Sequence, residues 1–130
     1  MQTAKSHFWV GRFNDDDLFF DFFGEDERIY ESGNEDLPLS KFIASQGETW
    51  IDHDFMESGF ESPGDDLKKQ FANYSYADTW GMELEKRCAA MNLKDINALV
   101  MLDEDQLENP VSVKGPGFTL TYLGVIEYTL

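Results

Sequence analysis

Residues 96–102 restrict the possible folds more than any other stretch of this sequence. The segment is Ile-Asn-Ala-Leu-Val-Met-Leu, in which Asn97 is the one polar residue. A strand that is apolar on both of its faces is expected inside a sheet that is covered on both sides. The sequence therefore predicts a central strand at this point, with other elements packed against each face of the sheet.

Three further segments have the composition of strands. Residues 7–10 combine aromatic and branched side chains, and residues 49–51 show the same pattern in a shorter run. From Phe118 onward, apolar and polar residues alternate as far as Tyr128, and we expect a bend or bulge at Gly124. These segments are predicted to form the rest of a small sheet.

Helices are predicted from capping residues and from apolar residues spaced three and four apart. Asn14 is placed to cap a helix that ends at Gly24, and the acidic first turn of that helix suits the helix dipole. Pro38 fits the first turn of a second short helix, and residues 65–74 predict a third. A longer helix follows, capped near Asn92, with one apolar stripe. The stripe consists of Ala77, Trp80, Gly81, Leu84, Cys88 and Met91.

The order of these elements predicts an α+β fold. Strands lie at both ends of the chain and helices mostly in the first two-thirds, which favours a small mixed β-sheet with helices packed on it. A length of 130 residues fits one domain over residues 1–130. We assign the three tryptophans, Trp9, Trp50 and Trp80, mainly to the core.

The charge of the chain restricts its partners. Asp and Glu total 26 against 10 Lys and Arg, a formal charge of -16. A field of this sign repels nucleic acids and anionic membranes and attracts basic proteins, so we expect neither a nucleic-acid nor a membrane partner. The lone Cys88, the lack of an apolar run of about 20 residues and the polar first residues predict a cytoplasmic protein. The sequence does not predict an oligomeric state.

The residues that support catalysis are sparse. The two histidines are His7, inside a predicted strand, and His53, and Cys88 lies on the apolar stripe of a helix. No glycine-rich phosphate loop occurs. Residues 52–57 hold an imidazole among carboxylates, but their spacing matches no established metal motif. We therefore expect no enzymatic activity, no metal and no cofactor.

Acidic residues recur in five runs, at residues 15–17, 25–27, 52–57, 61–66 and 103–108. Two of these runs follow predicted strands, one after Ile51 and one after Leu102. If those strands are parallel neighbours, their loops leave the same edge of the sheet and their charges add into one negative patch. Such a patch speeds association with a basic protein. The predicted partner-binding residues are Asp52, Asp54, Glu57, Asp103, Glu104 and Asp105.

Almost the whole sequence resembles a known family. The sequence FWVGRF at residues 8–13, PLSKF at residues 38–42, DHDFME at residues 52–57 and the tyrosine-flanked end at residues 122–128 are similar to the bacterial immunity protein 22 family. The resemblance implies an immunity protein of a polymorphic toxin system, which neutralises a cognate toxin. Such toxins are often nucleases with basic substrate-binding surfaces. The resemblance therefore implies a basic protein partner; it implies no catalytic residues.

Three functional hypotheses follow. The first is a toxin-neutralising protein that binds one basic toxin tightly and loses affinity as salt rises. The second is an acidic regulatory or nucleic-acid-mimicking module that binds a host nucleic-acid-binding protein, which a toxin gene immediately upstream would argue against. The third is a metal-dependent enzyme built on residues 52–57. It predicts that calorimetric titration with zinc, manganese or calcium detects heat of binding. We favour the first.

Overall fold

The computed structural model describes residues 2–25, 37–64 and 66–130. The described strands form one sheet in the order β2-β3-β1-β5-β4, and all four pairings are antiparallel. The strands are β1 (Thr3–Phe13), β2 (Met56–Phe60), β3 (Ala98–Asp103), β4 (Val113–Gly115) and β5 (Phe118–Thr129). The α+β class is thus confirmed, while the expected mixed sheet is antiparallel throughout the described strands.

Four α-helices and two single 3₁₀ turns accompany the sheet in the described part of the chain. The helices are α1 (Asp16–Phe23), α2 (Lys41–Ser45), α3 (Leu67–Gln70) and α4 (Ala77–Ala90), and the 3₁₀ turns are His53–Phe55 and Glu104–Gln106. Side chains cap the first three helices: Asp15, Ser40 and Asp66 each accept a hydrogen bond from a first-turn backbone N–H. Each predicted helix has a counterpart, with three differences. Helix α1 is capped by Asp15 rather than by Asn14, α2 begins at Lys41, three residues after Pro38, and α3 covers only four residues of the predicted 65–74.

The sheet separates two hydrophobic clusters. Helices α1 and α2 cover one face with phenylalanines that pack around Trp9 and Phe13, and α4 covers the other face with Trp80 and Leu84. Alternate residues of β3 point into each cluster, as Val100 does on the first face and Leu99 on the second. The prediction of a central strand covered on both sides is therefore confirmed.

Strand β5 changes the face to which its even-numbered residues point. Leu120 packs with the α1–α2 cluster, whereas Ile126 packs with the α4 cluster. The switch occurs at a bulge, where the pairing with β1 shifts between Phe8 and Trp9. Gly124 lies at this bulge with φ of 102°, a conformation that side chains rarely allow, so the predicted bulge is confirmed.

The tryptophan assignments are partly wrong. Trp9 and Trp80 are buried, but Trp50 is 62% exposed. Residues 49–51 form no strand in the structure, and the strand of this region begins at Met56. The short run has suitable composition, but it pairs with none of the described strands, and Thr49 instead accepts a backbone hydrogen bond from Leu39. On α4 the predicted stripe is buried from Ala77 to Cys88, while Met91 is exposed just beyond the last turn.

Two of the acidic runs include residues outside the described part. Most of the run 25–27 lies there, as does Asp65 of the run 61–66. Within the described residues, no helix is long and apolar enough to span a membrane.

Candidate interaction surface

The pairing of β2 with β3 determines where the predicted binding residues lie. Met56, the first residue of β2, is opposite Leu102, near the end of β3. The residues that precede β2 therefore lie at the same end of the sheet as those that follow β3. The six predicted carboxylates thus come to one end. The expectation of parallel strands was wrong, because the segment 52–55 leads into a strand rather than out of one.

The two acidic loops have the same local structure. The carboxylate of Asp52 accepts a hydrogen bond of 3.0 Å from the backbone N–H of Asp54, and that of Asp103 accepts one of 3.0 Å from the N–H of Asp105. Each of these turns leads into a 3₁₀ turn. The first aspartate of each loop thus uses one oxygen to hold the loop, whereas Asp54 and Asp105 are exposed.

Two side chains outside the predicted set hold these loops in place. The backbone N–H of Asp52 donates a hydrogen bond of 2.9 Å to Oε1 of Gln106, which ties one loop to the other. His7 is 5% exposed, and its Nε2 lies 2.8 Å from the carbonyl of Leu107 and 3.2 Å from that of Glu104. Because carbonyls only accept, Nε2 carries the proton.

The other nitrogen of the same ring completes this network. Nδ1 of His7 accepts from the Tyr122 hydroxyl at 2.8 Å. A histidine in a strand that is otherwise apolar was the only signal in the sequence for this role. No sequence signal identified Gln106, because its partner is 54 positions away.

A groove of about 400 Å³ lies beside the acidic loops. Its lining combines acidic, aromatic and thioether side chains. It is formed by Ser6, Asp54, Phe55, Met56, Glu57, Ser75, Tyr76, Met101, Asp103 and Tyr128. Three of the six predicted binding residues, Asp54, Glu57 and Asp103, line it, and none of the described lining residues is Lys or Arg. A groove of this kind suits a cationic group with an apolar stem.

Tyr76 forms one wall of this groove from an unusual backbone conformation. Its φ is 60° and its side chain is 48% exposed, just before the first residue of α4. A tyrosine in this left-handed region is uncommon and is often found at a functional site. Its ring lies 6.0 Å from that of Tyr128, whose hydroxyl shares a hydrogen bond of 2.9 Å with Ser6.

The turn that carries Tyr76 is held from both sides. The carboxylate of Glu57 accepts a hydrogen bond of 3.0 Å from the backbone N–H of Ser75, and the indole of Trp80 donates one of 2.8 Å to the Ser75 carbonyl. The groove wall is therefore anchored both to strand β2 and to the buried face of α4.

A second cavity, of about 340 Å³, lies against α3 and α4 and has a different character. Its charged lining residues are Glu85, Lys94 and Asp95, so cationic and anionic groups are mixed. Cys88 also lines it, and burial together with the charge of Glu85 raises the pKa of this thiol to about 11. A neutral thiol is a poor nucleophile, and this cavity gives no electrostatic preference for a basic partner.

The segment considered for metal binding does not bring three ligand atoms together. In the described part of the chain, that geometry occurs instead at Asp15, Asp16 and Asp17, all exposed at the start of α1. Nδ1 of His53 lies 3.1 Å from a carboxylate oxygen of Glu25, so the imidazole contacts the segment after α1 rather than its acidic neighbours.

Comparison with known proteins identifies the family of the chain. A search of the curated proteins and a search of the solved structures each returned no match. The family model described as Immunity protein 22 matches residues 7–129. The match runs from within β1 to the last residue of β5 and includes both acidic loops and every residue that lines the groove except Ser6. It supports an immunity function and confirms the resemblance seen in the sequence: the chain belongs to the immunity protein 22 family.

Proposed function

We propose that this protein neutralises a cognate basic toxin, of the nuclease type, by docking its acidic groove and the two adjoining loops onto a cationic surface of the toxin. The observation that carries the proposal is the juxtaposition of residues 52–57 and 103–105 by the β2–β3 pairing. Family membership supports the immunity function. The proposal goes beyond family membership in two points: the partner is basic, and it docks at this surface.

The electrostatics favour rapid association with such a partner. A formal charge of -16 produces an attractive field for any basic protein, and carboxylates clustered at one end of the sheet orient the approach. Complementary patches raise association rate constants from about 10⁵–10⁶ to about 10⁸ M⁻¹s⁻¹ at low salt. Because the Debye length is about 10 Å at 0.1 M salt, this gain declines as salt rises.

The carboxylates have different roles in this proposal. Asp54 and Asp105 are exposed and have no capping duty, so they are available to Lys or Arg of the toxin. Glu57 retains one oxygen after its bond to Ser75. Asp52 and Asp103 act mainly by holding the loops in position. The proposed inhibition requires no chemistry from this chain, since occupying the basic surface of a nuclease excludes its polyanionic substrate.

Matched variants of equal net charge test the docking surface. The groove variant carries Asp54→Asn, Glu57→Gln and Asp105→Asn, and the control carries Asp16→Asn, Asp17→Asn and Glu48→Gln, all at exposed or half-buried positions. The partner is an inactive form of the cognate toxin, and binding is measured by calorimetry. We expect the groove variant to weaken binding by about 100-fold and the control by less than about threefold.

The same variants are tested for protection of cells that express the active toxin. We expect the control variant to protect and the groove variant to fail at equal expression. Equal weakening by both variants would mean that the overall charge matters rather than this surface. Tight binding to a host nucleic-acid-binding protein without any protection would favour the regulatory module instead.

A further inference from the structure

We propose that the groove is a receptor for a single arginine side chain of the toxin, which inserts between the Tyr76 ring and the carboxylates of Glu57 and Asp103. This inference rests on the proposed function and makes it more specific, because it names the group that is recognised. The groove unites an aromatic wall, an apolar floor and three carboxylates within about 400 Å³.

The floor of the groove suits the methylene stem of a long basic side chain. Met101 lines it and is buried, so its thioether contributes apolar surface without an unsatisfied polar group, whereas the side chain of Met56, which also borders the groove, packs against the α1–α2 cluster. Phe55 is exposed on the same lining and adds an aromatic surface. A cation with three or four methylene groups can bury its stem against such a floor while its head remains near the carboxylates.

The aromatic wall favours a planar cation. The ring of Tyr76 packs against that of Tyr128 with the two planes tilted by 34°, yet Tyr76 remains about half exposed. Tyr128 in turn packs edge-on against the buried Phe8, with ring centroids 6.3 Å apart. A guanidinium stacks on a tyrosine face, whereas the compact and strongly hydrated ammonium of lysine does so less well.

The carboxylates of the groove can accept hydrogen bonds from a cation that carries several N–H donors. Glu57 and Asp103 each use one oxygen within the protein, as acceptors from the N–H groups of Ser75 and Asp105, and each has a second oxygen available. Asp54 is exposed on the same lining. A guanidinium offers five N–H donors in a fixed plane and so can reach two carboxylates while it stacks on the ring.

The receptor is already formed without a partner. The turn from Ser75 to Ala77 is held by the indole of Trp80 and by Glu57, and the Tyr76 carbonyl accepts hydrogen bonds from both the N–H and the hydroxyl of Thr79. Little conformational freedom therefore remains to be lost at this wall on binding. A rigid groove of this kind favours the insertion of one side chain rather than nonspecific attraction of a basic surface.

The first experiment uses N-acetyl-arginine methylamide as the probe, with the lysine analogue as its comparison. Amide chemical shifts of the whole protein are followed by two-dimensional NMR during titration. We expect saturable shifts confined to residues that line the groove, with the arginine probe binding about fivefold more tightly than the lysine probe. Shifts that do not saturate, shifts centred on residues 15–17, or equal affinity for the two probes would overturn the proposal.

The second experiment compares Tyr76→Ala with Phe20→Ala, which removes an aromatic ring that is more exposed, at 62% against 48%, from the outer face of α1. Circular dichroism and thermal unfolding verify that both variants are folded. We expect Tyr76→Ala to weaken arginine binding and toxin binding by about 10-fold each, and Phe20→Ala to change neither. Unchanged binding in Tyr76→Ala would overturn the arginine receptor.

The two proposals fail in different ways. If the three carboxylate substitutions weaken toxin binding while Tyr76→Ala does not, the acidic docking surface stands and the arginine receptor is overturned. If neither set of substitutions weakens toxin binding, the docking surface itself is wrong.

Discussion

The acidic run at the start of α1 and the acidic loops beside the groove contain similar residues in different structural settings. Asp15 accepts a hydrogen bond from the N–H of Leu18, and Asp16 and Asp17 occupy the first helical turn, where the dipole favours negative charge. That run is thus explained by the helix it begins. The loops at residues 52–57 and 103–105 meet only because β2 pairs with β3, and no long helix begins at either of them.

The difference shows that an acidic run in a sequence is not in itself a sign of a binding site. Residues 15–17 stabilise local structure, and they lie near the end of β1 that pairs with the start of β5. Ser6, at the other end of β1, pairs with Asp103 and lines the groove. Carboxylates whose proximity depends on distant strands, and which repel one another, require an explanation beyond folding. The predictions below test whether the two regions differ in this way.

The largest effect on stability is expected at the groove end, from the buried network beneath its loops. Replacing His7 by leucine leaves the carbonyls of Glu104 and Leu107 and the Tyr122 hydroxyl without their partner. We expect the free energy of unfolding to fall by about 3 kcal/mol, measured by urea denaturation. His7→Gln, which keeps a donor, should recover part of this loss. A change below about 0.5 kcal/mol would mean that the loops are not held from beneath.

A smaller effect is expected at the helix-start run. Asp15→Ala removes the cap of α1, and we expect it to lower the free energy of unfolding by about 1 kcal/mol. Asp15→Asn, which keeps an accepting oxygen, serves as the control and should remain close to the parent protein. Binding of the toxin should be the same in both variants. A loss of affinity in either variant would remove the distinction between the two regions.

The smallest effect is a gain in stability at the groove end. Asp54→Asn together with Asp105→Asn reduces repulsion among neighbouring carboxylates. We therefore expect the free energy of unfolding to rise by about 0.5 kcal/mol at low salt, measured by urea denaturation. The gain should vanish near 0.5 M salt, where the Debye length is only about 4 Å. Asp16→Asn with Asp17→Asn should instead destabilise the protein, since these carboxylates interact favourably with the helix dipole. A loss of stability in the groove variant would contradict the comparison.

Local patterns predicted much of the fold, and pairing between distant residues explains what they missed. The uninterrupted apolar run that became β3, the end of α1 at Gly24 and the bulge at Gly124 all depend on neighbouring residues, whereas the N-cap of α1 is Asp15, one residue after the predicted Asn14. Strand direction depends on contacts between distant segments, and for that reason the parallel arrangement was wrong. Trp50 was misplaced because residues 49–51 have strand composition but no described strand beside them.

The candidate surface was only partly accessible to sequence reasoning. Acidic residues near strand ends could be selected from the sequence, and the structure brings them to one end of the sheet. The aromatic wall could not be predicted from the sequence, because the exposure of Tyr76 follows from a left-handed turn that its residue type does not favour. Gln106 and His7 act through contacts with residues far away in the sequence, which no local pattern reveals.

The burial of β3 has a consequence for the lifetime of a complex. Five of its six residues are buried, and this strand carries the loop of Asp103 at its end. Segments enclosed in this way exchange their amide hydrogens only in the rarest openings of a protein. The base of the loop therefore moves little before the partner arrives, so little entropy is lost there on association. Affinity gained by such rigidity is expressed mainly as slow dissociation, which suits an inhibitor that must remain bound to its toxin.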